Sequence, residues 1–227
     1  MIKNRVIALA YRITAFLVCL FGILWATNLF SGEFHGVALL YYTIQTNILV
    51  LAMFGMLIVK TATTLKNEGK EGENGFFPRL SAGALVAIAL TLIVFWLVLA
   101  PFMLPEGAGY LKSFSNLSVH LIAPLLMLGD YIMFSKGGAL KKTDPYLFMI
   151  VPIVYLVKTL IIGFSGAVKF QIPELTEASN FPYFFLDYND VGGFMFLYIA
   201  VMSAFYLGLS FAMLAIDKKR AKRTTNE

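Results

Sequence analysis

Charge is scarce in this chain: Asp, Glu, Lys and Arg together make up 14% of its 227 residues. Soluble domains carry roughly a quarter, so there is too little charge here to build a water-facing surface. Nor is there room for a sizeable soluble domain beside the apolar runs. Cysteine is nearly absent, and Cys19 alone excludes an internal disulfide and a cysteine metal cluster. Histidine is limited to His35 and His120. No internal repeat and no low-complexity segment is present. The N-terminus is basic and then apolar, like a signal peptide. However, the apolar run continues to about Phe30 without a clear small-x-small cleavage site, so it reads as a retained first span.

What is abundant is apolar: 59% of the residues are hydrophobic, 15% are aromatic, and mean hydropathy is +0.78. This composition predicts an all-α membrane protein. A span needs roughly 20 residues, and six segments qualify, near 6–29, 38–60, 80–103, 114–134, 146–165 and 191–216. They are read as a single six-helix transmembrane domain over 1–227. The net charge of +5 resembles a nucleic-acid signal only until it is mapped. Of the 18 Lys and Arg, all but Lys112, Lys169, Arg12 and Lys158 fall at the N-terminus, the 2–3 and 4–5 connections or the tail. Basic residues favour the cytoplasmic side. The reading is a multi-pass protein of the cell membrane with both termini in the cytoplasm and no nucleic-acid partner. The 61–79 connection is polar and Gly-rich and reads as a flexible linker. The 164–190 connection carries Glu174, Glu177, Asp187 and Asp190 among many aromatics. It reads first as interfacial anchoring, and second as a half-buried cover over a pocket.

Polar residues inside spans demand a reason, because lipid supplies no hydrogen bonds. Tyr41-Tyr42-Thr43-Ile44-Gln45-Thr46-Asn47 interrupts an apolar run, and Thr43, Thr46 and Asn47 share one helical face. At 1.5 Å per residue, Thr43 lies roughly 8–10 Å below the outer edge of span 2, and His120 roughly 6–10 Å into span 4. Lys158 and Tyr155 of span 5 reach similar depth, and Asn116 lies four residues before His120. Pro124 has no N–H, so the His120 carbonyl loses its helical partner and a kink or widened turn should start there. Ordinary structural roles compete throughout. A span Thr bonds back to the i−4 carbonyl, a span His makes an interhelical hydrogen bond, and a Lys snorkels. Arg12 and Asp130 share the inner leaflet with opposite signs and are expected to pair. The alternative is that Arg12 snorkels while Asp130 finds backbone donors or water.

These residues resemble a family pattern. Tyr11-Arg12, Tyr42-Thr43-Ile44-Gln45-Thr46-Asn47, His120-x-x-x-Pro124-Leu125, Asp130-Tyr131, Pro152-x-x-Tyr155-Leu156, Phe181-Pro182-Tyr183-Phe184 and Leu186-Asp187 are similar, in order and over nearly the whole chain, to the bacterial six-helix branch of the androgen-induced-gene family. Its eukaryotic members are intramembrane threonine hydrolases that cleave fatty acid esters of hydroxy fatty acids with a Thr and a His. The resemblance implies that Thr43 is the nucleophile and His120 its partner. The family's Asn-His-x-x-His falls on Asn116 to His120, with Leu117 replacing the first His. Thr46 is a competing nucleophile, because the motif is short.

The chemistry these residues suggest is lipid-ester hydrolysis. A threonine hydroxyl is a poor nucleophile until a base takes its proton, and imidazole suits that role at neutral pH. Asn47, Asn116 and Lys158 are candidate oxyanion donors, and Thr46 and Tyr155 further polar contacts. The substrate is a membrane lipid or fatty acyl ester drawn from the bilayer; no metal and no cofactor is expected. Two other readings stand: a small-solute or proton transporter, with Arg12 and Asp130 as the inner half of its path, and a non-catalytic lipid-binding protein.

Overall fold

The computed structural model describes residues 1–103, 108–172 and 177–225, so Glu174 of the last long connection lies outside the described residues. Among the described residues, six helices are long and apolar enough to cross a membrane. They are α1 (Arg5–Ala26), α2 (Tyr42–Glu68), α3 (Pro78–Leu99), α4 (Phe114–Phe134), α5 (Asp144–Ser165) and α6 (Phe194–Thr225). Among the described residues there is no strand, only two isolated bridges, Asn4 with Glu71 and Phe170 with Ser179.

The helix ends follow local chemistry. The Asn4 side chain accepts from the N–H groups of Val6 and Ile7, capping α1. Pro78 opens α3, where a missing N–H costs nothing. Gly166, at φ 66°, closes α5 in the left-handed region. Two helices are interrupted by π turns, at Phe95–Leu99 in α3 and Ser118–Ile122 in α4. The second contains His120, where Pro124 leads a widened turn to be expected. The His120 carbonyl, deprived of its helical partner, instead accepts the Trp96 indole N–H at 3.3 Å.

Helices α1 to α4 form the packed body, with α1 against α2 and α4, and α3 against α2 and α4. Gly22 of α1 lets α4 come close: a methyl group there would sit 2.7 Å from the Ser118 hydroxyl. Helix α6 joins through α3 and the first turn of α5. The remaining length of α5 packs sparsely and leaves a wedge of space between α2, α3, α5 and α6.

Both termini lie at one end of the bundle, together with the 2–3 and 4–5 connections. Ile2 N–H donates to the Met133 carbonyl at 2.8 Å, and Arg5 N–H to that of Lys70 at 2.8 Å. Asp217 of α6 accepts from the N–H groups of Gly138 and Leu140 and from the Tyr131 hydroxyl. The 61–79 segment is not a free linker. Helix α2 continues to Glu68, and the rest docks on α1: Arg5 donates to the Gly69 carbonyl and Gly72 N–H to that of Lys3. Arg12, fully buried, explains why. Its Nε donates to Asp130 Oδ1 at 2.7 Å, and its other nitrogens to the Thr61 hydroxyl at 2.5 Å and the Asn74 carbonyl at 2.8 Å. A buried guanidinium needs several acceptors, and one carboxylate does not suffice.

Candidate active site

The opposite end of the bundle holds Thr43, Thr46 and Asn47 of α2 and Asn116 and His120 of α4. Thr43 is the second residue of α2, and Tyr41, just before the helix, leads into it in extended conformation. Its hydroxyl lies 3.2 Å from His120 Nε2. The other ring nitrogen, Nδ1, lies 3.1 Å from the Asn116 carbonyl. A carbonyl only accepts, so Nδ1 carries the proton, and Nε2 is left with a lone pair aimed at Thr43. The imidazole face rests on Phe95, ring centres 3.7 Å apart and planes 19° from parallel. Each ring of this stack belongs to a π turn, a geometry frequent at functional sites.

The other residues expected near the site have distinct positions. Asn47, fully buried, donates its amide to the carbonyls of Thr43 and Val119 at 2.8 and 2.9 Å, tying α2 to α4. Both of its amide hydrogens are thereby used. Asn116 lines the space beside His120 and donates to the Leu111 carbonyl. Thr46 bonds back to the carbonyls of Tyr42 and Thr43 and meets the Thr91 hydroxyl at 2.8 Å. Tyr155 is buried edge-on to Tyr42, ring centres 5.0 Å apart. Lys158 does not reach the site: its Nζ lies 5.2 Å from the Tyr155 ring centre. His35 is exposed and pairs with Asn28. Among the described residues no three His, Cys, Asp or Glu side chains gather as a metal site.

Two cavities meet at Thr43. The first is the wedge beside α5, of about 830 Å³ with its open mouth included. It is largely apolar, lined by Leu90, Val94 and Phe95 of α3, Pro152, Ile153 and Leu156 of α5, and Ile199 and Met202 of α6. The second is lined by Tyr41, Ile44, Ser115, Asn116, Val119 and His120, and by Gln171, Ile172, Pro182 and Phe184 from the connection between α5 and α6. Thr43, Phe95, Leu99 and Tyr183 line both. Thr46 and Lys158 line neither, so the geometry selects Thr43 rather than Thr46 as the accessible hydroxyl.

That connection is therefore a cover rather than an interfacial belt alone. Its residues Phe170, Ile172, Phe181 and Leu186 are buried. Buried Ser179 donates to Asp187 at 2.5 Å and accepts from Phe181 N–H, fixing the loop's shape. Tyr183 is carried inward, edge-on to Tyr41 with ring centres 5.8 Å apart and stacked on Phe185. Around its hydroxyl come the Thr43 and Tyr155 side chains and the backbone of Tyr42 and Thr43. Burial pushes this phenol above the ordinary tyrosine range, so it stays protonated. Sequence reasoning counted Tyr183 among the interfacial aromatics and in the Phe181-Pro182-Tyr183-Phe184 run of the resemblance, and gave it no role at the site. Phe95 and Trp96 carried no signal beyond apolarity.

No protein-family model, curated protein or solved structure matches the chain.

Proposed function

We propose that the protein is an intramembrane hydrolase of lipid or fatty acyl esters, with Thr43 as nucleophile and His120 as general base. The observation that carries this reading is the 3.2 Å approach of the Thr43 hydroxyl to His120 Nε2, in the one tautomer able to take a proton from it. The resemblance of the sequence to the bacterial androgen-induced-gene branch belongs to the same proposal. The distribution of basic residues favours the cytoplasm for the end with both termini, and hence the outer leaflet of the cell membrane for the dyad. The apolar wedge beside α5 is suited to an acyl chain. The inner half of a transport path gains no support from Arg12 and Asp130, which are locked together and fully buried.

In the reaction, Thr43 Oγ bonds to the ester carbonyl carbon as its proton passes to Nε2. The carbonyl electron pair moves onto oxygen. Its return expels the alcohol, which takes the proton from His120 and leaves an acyl-threonine. Water, deprotonated by the same nitrogen, then attacks the acyl carbon; the bond to Thr43 Oγ breaks, Oγ takes the proton back from His120, and the acid is released. Long-chain ester hydrolysis by purified wild type, Thr43→Ala and His120→Ala tests this. Wild type is expected to turn over, and each variant to lose at least about 100-fold, the lower range for a positioned general base. A hydroxyl-directed fluorophosphonate should label wild type and spare Thr43→Ala. Equal turnover in all three proteins refutes the dyad.

A further inference from the structure

We propose that Tyr183 is a third catalytic residue, its phenol O–H donating to the oxygen that becomes negative when Thr43 attacks. The inference rests on the Thr43–His120 reading and adds the component that the dyad lacks. An acyl-transfer site needs donors aimed at the developing oxyanion, usually its largest single source of rate. The amides expected in that role are wholly committed in Asn47 and half committed in Asn116. Both Asn47 hydrogens go to backbone carbonyls, and Asn116 donates to that of Leu111. Lys158 lines neither cavity.

Tyr183 has the required position by three observations. It stands where the two cavities join, lining both of them with Thr43. The cover sets its ring edge-on to Tyr41, two residues before Thr43, with centres 5.8 Å apart. Tyr183 also shares those cavities with the first turn of α2, a 27-residue helix whose leading N–H groups have no intrahelical acceptor. An ester with one arm in each cavity presents its carbonyl at that junction. When Thr43 Oγ bonds to carbon and the proton passes to His120 Nε2, the carbonyl pair moves onto oxygen beside the Tyr183 hydroxyl and the start of α2. Tyr183 keeps its proton and shares it as a hydrogen bond, so no further acid is consumed. The ring is held by Tyr41 and Phe185, which pre-aims the donor.

The test uses the full chain in detergent micelles, as wild type and Tyr183→Phe, with three probes: a long-chain ester, an alkyl trifluoromethyl ketone and the matching dialkyl ether. The ketone is attacked by Thr43 to give an alkoxide. The ether fills the cavities with no such charge. Loss of the hydroxyl is expected to lower kcat by roughly 100-fold, the low end for removal of one oxyanion donor, with KM little changed. Ketone affinity falls by a similar factor, ether affinity holds, and fluorophosphonate labelling of Thr43 persists at a reduced rate. Unchanged ketone affinity overturns the proposal, and so does equal weakening of ketone and ether, which marks a packing role. In both cases wild-type turnover and labelling leave the dyad standing. Wild type that neither turns over ester nor labels at Thr43 removes the dyad, and Tyr183 with it. Should Tyr183→Phe fold poorly, 3,5-difluorotyrosine at position 183 keeps the ring and strengthens the donor. Tighter ketone binding then supports the proposal, and unaltered binding overturns it.

Discussion

The imidazole of His120 lies flat on the ring of Phe95, centres 3.7 Å apart, and both side chains project from π turns on neighbouring helices. Thr43 fixes one edge of the imidazole and the Asn116 carbonyl the other, so the stack fixes the remaining freedom, tilt. Phe95→Leu keeps the site apolar and removes the flat support. A misplacement of about 1 Å is worth up to 100-fold in rate, so turnover should fall by up to roughly that factor with little change in melting temperature. Steady-state kinetics beside thermal unfolding in detergent checks this; a drop in stability that accounts for the lost activity would point to packing alone.

Pro124 acts on the same ring through the backbone. With no N–H at 124, the His120 carbonyl is released to the Trp96 indole and the turn widens. Pro124→Ala restores the donor and invites the turn to close to ordinary helix. Closing a π turn by one residue rotates the two halves of the helix by about 100° relative to each other, given 3.6 residues per turn. The substitution should therefore leave stability equal or higher while sharply reducing turnover and fluorophosphonate labelling. Labelling at the wild-type rate would mean that the wide turn does not aim His120.

These cases mark where the sequence was legible. The order of the spans was enough to bring Thr43 and His120 to one end of the bundle, but the residue count set Thr43 too far into its helix, because Gly36–Leu40 is a 3-10 turn and α2 begins only at Tyr42. Rotation about the axis was not readable, and Lys158 shows the difference: it sits over Tyr155, which lines the first cavity, but lines neither cavity itself. The missing helical bond at Pro124 was legible from covalent structure alone, but its replacement donor was not, since Trp96 lies on another helix. The 61–79 segment looked like a linker by composition. The contrary signal lay in Arg12, whose five N–H donors exceed what Asp130 accepts; Thr61 and Asn74 supply further acceptors. Tyr183 was hidden for another reason. Aromatic residues near a membrane edge are common, and only the fold carries this one over Thr43.

The Arg12–Asp130 pair yields a stability prediction. Both side chains are fully buried, and Arg12 joins α1, α2, α4 and the docked 2–3 segment. Removing one partner leaves a charge without compensation, which costs about 3–5 kcal/mol. Arg12→Met and Asp130→Leu should each lower the melting temperature strongly, and the double variant should recover much of the loss, because an apolar pair removes both desolvation costs. Turnover per folded molecule should hold in the double variant, since the dyad lies at the other end of the bundle. If the double variant is as unstable as the sum of the singles, the Thr61 and Asn74 contacts outweigh the ion pair.

Phe181 packs against Gly163 so closely that a methyl group at 163 would overlap its ring. Neither backbone nor ring can absorb such an overlap, so Gly163→Ala must lift Phe181, which is buried at 2% exposure. Tyr183 follows two residues later on the same cover. The expected result is a raised KM and a lowered kcat, together with faster proteolysis within 177–190, while the helices keep their content by circular dichroism. Adding Phe181→Ala removes the clashing ring. If the cover is held by this contact, the double variant should be more active than Gly163→Ala alone, although below wild type because the anchor is gone. The cycle of the two substitutions then measures the coupling between them. Additive losses would mean that the cover is seated by the Ser179–Asp187 bond instead, and Asp187→Ala would then be the substitution that releases it.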